Sequence, residues 1–260
     1  MLKPIRPAAP IRARYEARVL GLVDEMHRSI LHWITVEYRR NTPETVVYAR
    51  DDSAAAELQM AMAALGRRWL KKFDSLADSL AAYFSTAVKD RSDRALMDML
   101  RKGGFAVRFK MSPAMRDAFN AVRAENVGLI RSIAQQHLSH VETLVMQSVS
   151  QGRDLAGLTK GLQKIHGVTR RRAQFIARDQ NNKATAVMTR ARHLELGITK
   201  AKWLHSAGGK QPREAHRHFS GQVYDIREGH DFGDGNGPVW PGTAINCRCV
   251  SVPIVPGFEG

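Results

Sequence analysis

The chain has two cysteines, Cys247 and Cys249, with a single residue between them. A disulfide at that spacing would close a very small, strained ring. With no third cysteine, no disulfide framework can be built. On an extended strand, residues 247 and 249 face one way and Arg248 the other. An imidazole from His216 or His218 then completes a nitrogen–sulfur set suited to zinc. His205, His218 and His230 are all candidates for a fourth ligand, and the spacing does not choose among them. The competing reading is two small apolar thiols packed in a core, with His216 satisfied by backbone. Apart from this zinc, no cofactor is expected.

His216, His218, Asp225, Glu228, His230 and Asp231 together supply acid–base chemistry in composition. None falls in a nucleophile elbow, a phosphate-cradling loop or a double-histidine protease helix. No carboxylate cluster has two-metal spacing. No catalytic residue is therefore assigned, and an enzyme is not expected. A nuclease or toxin-like enzyme in the C-terminal module stays as the alternative, resting on His-x-His in a basic chain.

Lys and Arg number 40 against 25 Asp and Glu, a formal net charge of +15 over 260 residues. That excess favours a polyanion, nucleic acid first and an acidic protein second. A plain nucleic-acid-binding protein is thus a second alternative. Arg170, Arg171 and Arg172 form the densest basic cluster and are expected to open the last long helix, where they can neutralise DNA phosphates. A solvated helix start is the other reading, although cations there oppose the dipole. Arg67, Arg68, Lys71 and Lys72 read as a solvated face. The N-terminal segment has no apolar core of signal-peptide length, and no apolar run is long enough to span a bilayer. No membrane contact is expected, and the chemistry fits synthesis in a reducing cytoplasm.

The elements that must position these groups follow from periodicity. Residues 1–10 hold three prolines and read as an extended arm. Residues 11–150 read as helical. Tyr15, Val19, Leu22, Met26, Ile30 and Trp33 make one apolar stripe, ended by Asn41-Thr42-Pro43. Leu58 through Val88 make a second and longer stripe. A short helix around Leu96–Leu100 follows, closed by Gly103-Gly104. Ser112-Pro113 is a helix start by capping and proline preference, and its helix runs to about Ser150 with Gly128 as a weak point. Gly152-Arg153-Asp154 restarts the chain into a short helix that ends near Gly167, and Thr169 caps the next, which stops at Gly197. Asn181 and Asn182 lie in mid-helix, where asparagine needs a reason. They either hold the helix to the Cys-Arg-Cys strand or are simply exposed. Beyond Gly197, short strands are expected at 201–205, 222–226 and 247–255, with a helical turn at 212–219. The fold class is α+β: a mainly helical N-terminal region with long helices, then a small mixed module at 151–260 with a short antiparallel sheet.

The ordered series in this module carries a resemblance. It comprises the Trp203 strand, the small-residue turn Ala207-Gly208-Gly209-Lys210, Arg213-x-x-His216, Gly221, and Pro241-Gly242-x-x-x-Asn246-Cys247-Arg248-Cys249-Val250. With Arg178-Asp179-Gln180 in the preceding helix and a Pro253–Phe258 tail, it resembles the Mu F-like head-morphogenesis proteins of tailed phages over about 150–258. The resemblance implies a minor head protein of the virion, associated with the portal vertex. Portal protein, major capsid protein and packaged DNA are the implied partners, with no toxin domain in this chain. The chain departs from the family where many members have an acid soon after the tryptophan strand and an Arg-Thr-Glu-like triplet in the helix. Roles of those acids do not transfer.

Overall fold

The computed structural model describes residues 3–40, 54–150, 154–206 and 211–255. The expected break at Asn41-Thr42-Pro43, the restart at Gly152-Arg153, the turn at 207–210 and the tail beyond Val255 lie outside the described residues. Four long helices come first: α1 (Ala9–Arg40), α2 (Ala54–Lys102), α3 (Pro113–Ser150) and α4 (Leu155–Glu195). A small mixed segment follows: β1 (Lys200–Leu204), α5 (Glu214–His218), β2 (Val223–Asp225) and β3 (Val250–Ile254). The fold is α+β, as its periodicity implies. Among the described residues no helix is long and apolar enough to cross a membrane.

Several boundaries agree with the local chemistry. Ser112 Oγ accepts the Met115 N–H at 3.1 Å, capping α3. Gly103 and Gly104 close α2, with Gly104 in the left-handed region at φ 86°. Gly197, at φ 72°, ends α4 in a Schellman pattern: its N–H bonds Leu194 C=O, and the Ile198 N–H bonds His193 C=O.

Other boundaries differ. Leu96–Leu100 is the end of α2 and not a separate helix. Gly167 does not end a helix, and Thr169 does not cap one, because α4 runs through both. Thr169 is buried, and its hydroxyl bonds the Ile165 carbonyl at 3.0 Å and the His137 ring at 2.8 Å. A hydroxyl supplied with partners inside the bundle has no reason to terminate the helix. The α1 stripe is also rotated slightly from expectation. Val23 and Ile34 are buried, whereas Trp33 is 43% exposed.

By chain range the fold forms two compact units. One comprises Glu16–Leu80 and Val127–Gln174. Its core is the apolar face of α1 and α2 (Val23, Ile30, Leu58, Trp69, Phe73) and of α3 (Ile130, Ile133, Val141). Three of its histidines lie close together. His27 stacks on His166 at 4.0 Å between ring centroids, and His137 meets His27 edge-on at 6.3 Å. The other unit comprises Met1–Tyr15, Ala81–Asn126 and Phe175–Gly260. Tyr15 packs on Phe84, and its hydroxyl donates to Asn126, which in turn bonds Gln180. Arg192, fully buried, makes a two-pronged pair with Asp93 at 2.8 and 3.0 Å.

The sheet belongs to this second unit. Its order is β2-β1-β3, antiparallel throughout. Trp203 on the central strand pairs with Ser251 and is completely buried. Its indole meets Phe219, Tyr224 and Phe232 edge-to-face with centroids 5.3–5.8 Å apart. Each such contact contributes about 0.5–1.5 kcal/mol beyond area burial.

Candidate functional site

The expected metal ligands come together. His216 is the buried residue of the single-turn α5, and Cys247 and Cys249 sit in the segment leading into β3. This segment is not yet strand at residue 247, since β3 begins at Val250. His216 Nδ1 lies 3.6 Å from Cys247 Sγ and 3.7 Å from Cys249 Sγ. The three ligand atoms all fall within 4.8 Å of one another.

The approach to the cysteines is built from left-handed turns. Gly242 has φ 86°, and a Cβ there would meet Ala186 Cβ and the Cys249 carbonyl, each at 3.1 Å. Only glycine lets this turn lie so close to α4. Asn246 has φ 58°, the one positive φ among the described non-glycine residues, and asparagine tolerates that conformation. From the helix, Asn182 Nδ2 donates to the Cys247 carbonyl at 3.1 Å, and Asp179 accepts the Asn246 N–H. The tie between helix and cysteine segment therefore runs through Asn182, as expected. Asn181 instead donates to the Ala8 carbonyl. Burial holds the Asp179 carboxyl above its ordinary range, against the lowering effect of the Asn246 N–H. Asp179 was legible only as a member of the Arg178-Asp179-Gln180 triplet; its bond to the Asn246 turn was not.

The other motif residues also have structural duties. Arg213 donates to the Ile245 carbonyl at 3.0 Å, joining the start of α5 to the cysteine turn. The Gly221 N–H bonds the Trp203 carbonyl at 2.7 Å with φ 90°. Pro241 is buried beside Gly242, and Arg248 is half-buried. Arg178 lies over the Phe175 ring at 5.6 Å. Trp240 and Arg190 add a brace that the motif reading did not assign. The Trp240 indole donates to Ile226 C=O at 2.8 Å, and Arg190 stacks on its ring at 3.7 Å.

The electrostatics of the two thiols are linked. Hydrogen bonding from Cys249, with help from His216 and two backbone N–H groups, pulls Cys247 well below the ordinary thiol range. Cys249, bonded to that neighbour and buried, is pushed the opposite way.

His205 is half-buried, His218 is exposed and His230 stacks on Phe219 at 3.7 Å. None of the three belongs to the His–Cys–Cys cluster among the described residues. Arg170, Arg171 and Arg172 lie in mid-helix, so the dipole argument for a helix start does not apply. Arg170 pairs with Asp24, Arg172 donates to Ser132 at 3.1 Å, and Arg171 is exposed.

Residues 139–252 match the family described as Phage Mu protein F like protein. A protein of Haemophilus influenzae, described as uncharacterized, is 39% identical over 151 residues. That stretch covers 57% of this chain and 32% of the relative, so the chain spans about a third of its length. No solved structure matches. Residues 139–252 thus resemble the phage Mu F-like family, as the motif series implied.

Proposed function

We propose, from this Mu F-like segment, that the chain is a minor head protein of a tailed bacteriophage acting in head morphogenesis at the portal vertex. In this reading the segment 151–260 docks on portal or major capsid protein. Basic helices face packaged DNA, with the exposed Arg171 as one phosphate contact. The chain is made in the host cytoplasm and ends in the virion head.

One observation carries the reading. The Mu F-like motif residues serve the architecture of the segment: Trp203 in the core, Gly242 and Asn246 in left-handed turns, Arg213 as a tie to the cysteine turn. Such a use suits recognition by shape, and the formal charge of +15 suits a polyanion nearby. Heads purified from a producing phage are expected to contain the chain, and heads made without it are expected to be non-infectious. Its absence from heads would overturn the proposal. A nicking assay on plasmid, with and without metal, tests the enzyme alternative. Cleavage lost in His216→Ala would replace assembly with catalysis.

A further inference from the structure

We propose that His216 Nδ1, Cys247 Sγ and Cys249 Sγ bind one zinc ion per chain, which clasps α5 to the segment entering β3. This clasp does not depend on any role in the virion. Tetrahedral zinc, with bonds of about 2.3 Å to sulfur and about 2.0–2.1 Å to nitrogen, sets its sulfur and nitrogen ligands roughly 3.6 Å apart. The nitrogen–sulfur separations here are 3.6 and 3.7 Å. Both sulfurs stand at nearly the same distance from Nδ1, as two thiolates sharing one ion with the imidazole would.

The surroundings are arranged for sulfur that carries negative charge. Cys247 Sγ accepts the Gly242 N–H at 3.4 Å and faces the backbone N–H of Cys249. Cys249 Sγ faces the backbone N–H of Ser206. The Trp203 indole N–H, fully buried and without a hydrogen-bond partner of ordinary geometry, also lies close to Cys249. Donors aimed at ligating thiolates are a usual outer shell of metal sites. The imidazole is held in plane by Phe232, stacked at 4.7 Å, and by the Trp203 edge at 5.0 Å. Two thiols and one imidazole select zinc over calcium or magnesium, which take oxygen. Among the described residues no fourth His, Cys, Asp or Glu joins the cluster, which leaves the fourth vertex open to water. On binding, zinc replaces the thiol protons, which pass to solvent.

The test uses the full chain, purified without a histidine tag. Elemental analysis is expected to give about one zinc per chain, falling towards zero in Cys247→Ser and Cys249→Ser. Both thiols are expected to resist alkylation until a strong chelator is added. Cobalt exchanged into the site should give the intense visible bands of tetrahedral thiolate coordination. If the serine variants fail to fold, the cobalt spectrum and the chelator-dependent alkylation of the unaltered chain decide. A folded chain that takes up neither zinc nor cobalt in excess overturns the proposal. So does zinc that persists in both folded serine variants, or thiols equally reactive with and without chelator. None of these results bears on whether the chain is found in heads, which is read separately.

Discussion

Replacing one member of the Arg192–Asp93 pair should cost far more than replacing both. Arg192 has 2% of its side chain exposed and Asp93 10%, and they are joined at 2.8 and 3.0 Å. Arg192 also bonds the Lys110 carbonyl at 2.7 Å and Glu195 at 2.6 Å, with its guanidinium 4.7 Å from the centre of the Phe109 ring. Asp93 has Lys89 as a second partner at 3.3 Å. Removing one partner of a buried pair leaves an uncompensated charge and costs about 3–5 kcal/mol. The residual partners here argue for the lower end, about 3 kcal/mol for Arg192→Met or for Asp93→Leu. The double variant removes both charges and substitutes apolar volume, so it should lie within roughly 1 kcal/mol of the parent. The coupling in a double-mutant cycle is then several kcal/mol, well above the few tenths expected of independent sites. Denaturant unfolding measures all four corners. Single costs below about 1 kcal/mol, or costs that simply add, would refute the claim that this pair holds α4 to α2.

Trp203→Ala should cost about 3–5 kcal/mol, since it empties a completely buried site ringed by aromatics, and limited proteolysis should then cut within the C-terminal segment. Gly242→Ala should destabilise by more than Gly221→Ala does. Both glycines have positive φ, but a Cβ at Gly242 meets atoms at 3.1 Å whereas at Gly221 it meets nothing within 4 Å; equal melting temperatures would count against the close approach to α4. Acid should weaken both units. Burial lowers His137 and His193 from 6.5 to about 4. Below pH 6.5 the unfolded chain therefore binds protons that the folded chain refuses. Stability is full above that pH and falls between 6.5 and 4, by about 3 kcal/mol per histidine at the limit. A melting temperature that stays flat over that window, or His137→Gln leaving the slope unchanged, would show these rings to be solvated.

Much of this was readable because it is periodic. The α2 stripe from Leu58 to Val88, the Ser112-Pro113 start and the glycine stops at 103–104 and 197 are local signals, and the structure uses them locally. The continuity of α4 through Gly167 and Thr169 was not readable, because it depends on a hydroxyl finding His137, 32 residues earlier in the chain. The histidine cluster was missed for a similar reason. A polar residue on an apolar stripe, as His27 is among Val23, Ile30 and Ile34, was the available clue. At the site, the cysteine spacing with His216 was legible. The role of Asp179, quoted only within its motif triplet, was not, since a carboxylate that serves one backbone N–H in a distant turn leaves no pattern of its own.

The three-stranded sheet has a consequence for how copies of this chain coexist. One outer strand, β2, is three residues long, and the other, β3, carries Pro253, which has no N–H to offer. Short or proline-bearing borders are poor templates for a newcomer strand. Crowded molecules are thereby discouraged from zipping into open-ended ribbons, and any companion has to be recognised through side chains and loop contours.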